Sequence, residues 1–177
     1  MDAITLLSDD LHAAHDLLDA VMADVTPEAA AWIPPGRANP VGATFAHVVL
    51  SEDRTIHTLL QHEPPLYESD WADKLGLSEG MPDQGADMQG YVDWTRRVSL
   101  DLPIFQAYAR AVYADSDRYL ASLTPTDLDR MLDMSGIGMG KDTVARILSR
   151  QVVAHADNIA GEISCLKGLQ GLRGYPF

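Results

Sequence analysis

The 177-residue chain is 46% hydrophobic and 22% charged, the balance of one soluble globular domain with a single core, spanning residues 1–177. Its 26 acidic residues outnumber 13 basic ones, giving a net charge of −13. A field of that sign repels phosphate backbones and anionic lipid, so neither nucleic acid nor a membrane surface is an expected partner. No stretch approaches the roughly 18 uninterrupted apolar residues of a spanning helix, and the acidic N-terminal segment lacks the basic region of a signal peptide. With one cysteine, Cys165, and therefore no internal disulfide, a cytoplasmic location is expected.

In chain order, residues 3–24 predict a first helix. Ile4, Leu7, Leu11, Leu18 and Met22 recur at steps of a single buried face. His15 falls on that stripe and His12 lies beside it. Residues 26–42 hold four prolines and two glycines and form a connector. A second helix follows over 43–61, with Phe45, Val48, Val49, Ile56, Leu59 and Leu60 on one side. His47 faces away from them, toward Ser51, Arg54 and Thr58, while His57 and His62 read as surface residues.

Residues 62–90 are rich in proline and glycine around a short helix expected at 69–75. So long a connection is uncommon in a compact domain and is often functional. A short helix at 91–98 leads to a third long one at 102–122, whose buried side carries Phe105, Tyr108, Val112, Tyr119 and Leu123. Residues 124–141 predict a second connector without strands. The last helix, 142–167, shows Leu148, Val152, Ile159, Ile163 and Leu166 as its stripe, with Cys165 expected as a small core residue. Four long amphipathic helices and no alternating strand predict an all-α four-helix bundle.

His155 lies at the centre of the last stripe, flanked by Gln151 and Glu162. Polar groups on a buried face need partners, because an unpaired one costs about 1–3 kcal/mol. Two accounts are open: a core histidine satisfied by Glu162 or a facing helix, or a pocket in which neutral imidazole holds a metal such as zinc or nickel. No paired carboxylates, nucleophile elbow or Ser-His-Asp order accompanies it.

The segments WIPPGRANPVGATFAH (32–47), DWADKLGL (70–77), LTPTDLDR (123–130) and GEISCLKGLQGLRGYPF (161–177) resemble, in order and over most of the chain, the DinB-like superfamily. The likeness is to its actinobacterial branch of small DinB/YfiT-like proteins. That resemblance implies an up-down-down-up four-helix bundle with 62–90 as a long crossover between the second and third helices, and often a homodimer. It also implies a divalent metal, zinc or nickel, held by a histidine on the second helix and an HxxxH pair on the fourth. Characterised relatives include thiol-dependent transferases and isomerases that use mycothiol-type low-molecular-weight thiols.

Carried over by position, His47 matches the helix-two ligand and His155 the first histidine of the pair. The second histidine would stand at 159, where this chain has Ile159. The resemblance therefore leaves His15 or Glu162 as candidate third ligands, with Gln151, Ile159 and Ser51 lining the pocket. Two functions follow as expectations. One is a metal-dependent, thiol-using transferase or isomerase acting on a small molecule. The other is a non-catalytic bundle that binds a small ligand at a degenerate metal site.

Overall fold

The computed structural model describes residues 1–82 and 88–177. α1 (Ala3–Met22) starts at Asp2, whose carboxylate accepts from the Thr5 amide at 2.9 Å, satisfying one of the first-turn donors. α2 (Pro27–Ala31) is a single turn capped by Thr26, with proline at its first position. α3 (Val41–Asp53) runs on as a π-helical segment, Arg54–Gln61, which ends at His62 in the left-handed conformation, φ 62°.

The crossover then carries a 3₁₀ turn, Leu66–Glu68, and α4 (Met88–Arg97). The helix expected at 69–75 is absent; those residues form turns, with Asp73 at φ 60° and Gly76 at φ 69°, angles that interrupt a right-handed helix. A Cβ at Gly76 would also lie 3.0 Å from that of Ile104, so this turn packs tightly on the next helix. α5 (Leu102–Ser122) opens at Asp101, again with proline in its first turn.

The second connector is more ordered than its composition suggests. α6 (Pro125–Leu128) is followed by β1 (Met131–Asp133) paired antiparallel to β2 (Lys141–Thr143). The expectation of no strand is corrected here. The three-residue strands are too short for a periodic signal, and the hairpin is closed by Gly138 and Gly140 at φ 78° and 73°. Residues 142 and 143, expected in the last helix, belong to β2. That helix begins as α7 (Val144–Ile147), passes through a π-helical segment, Leu148–Val153, and continues as α8 (Ala154–Leu169).

α1 packs on α5 and α8, and α3 packs on the same two helices, so the chain forms an all-α bundle. The contacts give each helix its direction. Lys167, buried near the end of α8, donates to the Val21 carbonyl near the end of α1 at 2.7 Å. Leu11 of α1 and Leu148 share one apolar cluster at the opposite end, so α1 and α8 are parallel. Ile56 joins that cluster, while Phe45, from the start of α3, packs with Val21 and Met22, so α3 is antiparallel to α1. Phe45 meets Phe105 with centroids 5.5 Å apart, and His57 reaches Asp115 further along α5, so α3 and α5 are parallel. The result is up-down-down-up, as the resemblance implied.

Two other side chains depart from the sequence reading. Cys165 is exposed, because the core face of α8 is taken by Ile163 and Leu166. His57 is buried, not on the surface, with Nδ1 2.8 Å from Asp53 Oδ1 and Nε2 3.2 Å from Asp115 Oδ2. The π-helical winding of Arg54–Gln61 shifts residues after Asp53 off the 3.6-residue register on which the surface reading relied. Among the described residues, no helix is long and apolar enough to cross a membrane.

Candidate functional site

α3 and α8 bring His47 and His155 together, ring centroids 5.0 Å apart and planes at 74°. Tyr91 of α4 closes a third side, 5.6 Å from His47 at 64°. All three rings are half-buried, so they face one another in a seam that opens to solvent. Tyr91 is held from behind by stacking on Trp94, which is itself buried and donates its indole N–H to the Glu79 carbonyl at 3.2 Å. Ser51, one turn after His47 on α3, places its Oγ 3.5 Å from His47 Nδ1, at the outer limit for a hydrogen bond.

Burial sets the charge state of the seam. It pushes His47 down to about 4, with His155 beside it adding to the effect. It also lowers His155, where the nearby Glu52 carboxylate pulls the other way. Burial raises Tyr91 to about 12, helped by the charge of Glu162. At neutral pH both imidazoles are therefore uncharged and the phenol keeps its proton. Glu162, at the rim of the seam, has its carboxyl raised by partial burial.

A buried polar layer joins α1, α3 and α5. Glu52 of α3 is 2% exposed. It accepts from His15 Nε2 of α1, 2.9 and 3.1 Å from its two oxygens, and from Ser116 Oγ of α5 at 2.6 Å. His15 stacks on Tyr113 with centroids 3.7 Å apart. Glu52 also acts electrostatically on His155 of α8, which ties the layer to the seam. Sequence reasoning did not single out Glu52 or Tyr91. The available signal for Glu52 was an acidic pair, Glu52-Asp53, one residue (Ser51) beyond the apolar run 48–50. For Tyr91 there was none, because α4 is short and its position is set by the crossover.

The other sequence-derived residues fall as follows. His15 directs its Nε2 into Glu52. Ile159 is 7% exposed and packs in the larger apolar cluster. Gln151 is half-buried in the π-helical segment and has no hydrogen bond to the histidine pair among the described residues. His12 is exposed and pairs with Asp117 at 3.0 Å, and His62 is exposed.

A catalytic zinc site needs three protein donors around the ion. Among the described residues no group of three His, Cys, Asp or Glu side chains is arranged to hold a metal. His47 and His155 supply two donors, a hydrocarbon stands at 159, and Glu52 is already engaged by His15 and Ser116. Among the described residues the donor set therefore does not complete a three-ligand centre. A separate cleft of about 410 Å³ lies between the second bundle helix and the crossover, with Leu50, Arg54, Tyr67 and Met81 in its wall. Neither His47 nor His155 lines it.

The sequence model of the DinB superfamily matches residues 10–157 of this helical bundle. The chain belongs to the DinB superfamily. Its fold is also that of a conserved protein from Enterococcus faecalis seen in a crystal structure. That structure is 21% identical, with a TM-score of 0.71 over 95% of this chain and 99% of the other. The comparison with curated proteins gives no match.

Proposed function

We propose that this DinB-superfamily chain binds a small molecule in the seam of His47, Tyr91 and His155, and that the family-type metal centre is degenerate in it. The observation that carries this reading is the facing pair of uncharged imidazoles, 5.0 Å apart, with Ile159 buried in the core where a third donor would be needed. Neutral imidazole both donates and accepts a hydrogen bond, and half-buried aromatic walls with a few polar atoms are the usual make-up of a small-ligand site.

A second reading, a metal-dependent and thiol-using transferase or isomerase, is favoured by one feature. Burial keeps both histidines in the uncharged form that binds zinc or nickel. Among the described residues no third protein donor joins the two histidines.

One experiment separates the two. Metal content is measured by plasma mass spectrometry on untagged wild type and His155→Ala, and both proteins are screened against a fragment library by thermal shift. The small-molecule reading expects no stoichiometric metal, and fragments that stabilise wild type but not His155→Ala. Saturation at a hundred times Kd corresponds to about 2.7 kcal/mol of stabilisation. About one equivalent of zinc or nickel per chain, lost in His155→Ala, would overturn the degenerate-site reading in favour of the metalloenzyme.

A further inference from the structure

We infer that the cleft between the second bundle helix and the crossover is a second binding site, shaped for a small zwitterion with an apolar body, such as an apolar α-amino acid. The first support is a standing cavity. Its volume of about 410 Å³ lies in the range of small-molecule sites. Its two sides are fastened to different parts of the fold. On one side the buried Asp53 accepts from the Leu66 and Tyr67 amides at 2.9 and 3.2 Å, which pins that turn to the end of α3. On the other, the Ser78 amide donates to the Ser99 carbonyl at 3.0 Å and the Asp101 amide to the Gly76 carbonyl at 2.7 Å. Leu77 also bridges to Leu100, so this side is held at the start of α5. Separate anchors keep the two sides in place, and the space between them is pre-formed.

The second support is the chemistry of the wall. Leu50, Leu75, Leu77 and Met81 give it an apolar lining for a hydrocarbon side chain. Arg54 and Glu68 stand in the same wall, one charge of each sign. A guanidinium presents five donors in a planar fork that matches a carboxylate, and a carboxylate accepts from an ammonium. The Tyr67 ring lies in the wall with them. Its phenol is raised by burial and by the charge of Glu68, against the pull of Arg54, so it keeps its proton and serves as a donor. A simple anion entering the cleft is drawn to Arg54 and repelled by Glu68; a simple cation meets the reverse. A molecule carrying both charges is attracted at both, and its apolar body fills the lining. None of His47, Tyr91 and His155 is among the residues of this wall, so the site does not depend on the seam.

The test is isothermal titration calorimetry on the full chain with leucine and phenylalanine. Each is run beside the carboxylic acid that lacks its amino group and the amine that lacks its carboxyl. Glycine serves as the zwitterion without an apolar body. Methyl resonances of Leu75, Leu77 and Met81 report binding in the cleft, and ring resonances of His47 and His155 report the seam. At least one of the two amino acids should bind about tenfold more tightly than both its single-charge counterparts and than glycine, and should move the cleft methyls. The advantage over the amine should vanish in Arg54→Gln, and the advantage over the acid in Glu68→Gln. Both positions are exposed, so neither substitution disturbs the core. Single-charge counterparts that bind as tightly as both amino acids overturn the inference. So do advantages that stay unchanged in both variants. If an amino acid moves the histidine rings and not the cleft methyls, the cleft assignment fails while the small-molecule reading of the seam stands. If neither set moves, the inference fails, and the seam is still judged by its own metal and thermal-shift experiment.

Discussion

Acid titration of stability gives the sharpest check on the environment of His47. In the unfolded chain its imidazole takes up a proton near its ordinary value of 6.5; in the native seam burial holds it to about 4. Below pH 6.5 the unfolded state therefore binds a proton that the native state refuses, and stability falls as the pH falls. At about 1.4 kcal/mol for each pH unit of separation, the loss from this side chain is about 2 kcal/mol at pH 5. It approaches about 3 kcal/mol near pH 4, where the native imidazole also begins to charge. His155, lowered by the same burial, acts in the same direction. The assay is urea unfolding of wild type and His47→Gln at intervals from pH 7.5 to 4.5. Titrating groups away from the seam act on both proteins and cancel in the difference. The stability of wild type relative to His47→Gln should fall by about 2 kcal/mol between pH 7 and pH 5. Parallel curves, differing by a constant within about 0.5 kcal/mol, would mean that His47 is well solvated. The uncharged histidine pair would then no longer support the proposed site.

Two further outcomes test the layer behind the seam. Glu52→Ala leaves His15 and Ser116 without their buried acceptor, so urea unfolding should show a loss of about 3–5 kcal/mol. Adding His15→Phe, which keeps a ring against Tyr113, should restore part of it; strictly additive losses would contradict a coupled pair. Asp53→Asn removes a carboxylate that accepts from the Leu66 and Tyr67 amides and from the Tyr108 hydroxyl, at 2.9, 3.2 and 2.6 Å. Amide exchange should accelerate at residues 66 and 67 more than in α1, with a global loss of about 1–3 kcal/mol. Unchanged exchange there would show that Asp53 does not pin the crossover.

How far the sequence is legible depends on what each element rests on. α1 and α5 could be read directly, because an apolar stripe at helical spacing needs only a partner face, and Asp2 and Asp101 mark their starts. The long crossover was visible as a stretch of proline and glycine too long for an ordinary loop. Of its content only the short helix expected at 91–98 could be read, and it is found as α4 (Met88–Arg97). Whether Trp71 lies in a helix or a turn is decided by Asp73 and Gly76 at positive φ, packed against Ile104. The hairpin at 131–143 was missed because three-residue strands carry no periodicity, and two glycine turns close it. His57 was misplaced because a π-helical segment changes the residues-per-turn on which any surface assignment depends.

By itself the sequence determined the class of the fold, the location of its four long helices and the two histidines worth following. Those features are local: side-chain spacing, caps and breakers act within a turn or two. The tertiary structure alone decided that His47 and His155 face each other, that Tyr91 joins them from the crossover, and that Glu52 binds His15 and Ser116 behind them. The two Glu52 pairings link residues 37 and 64 positions apart, and separations of that size leave no local trace. Only packing fixes which faces of four helices meet, and burial in that packing, not the residue type, sets the charge each group carries.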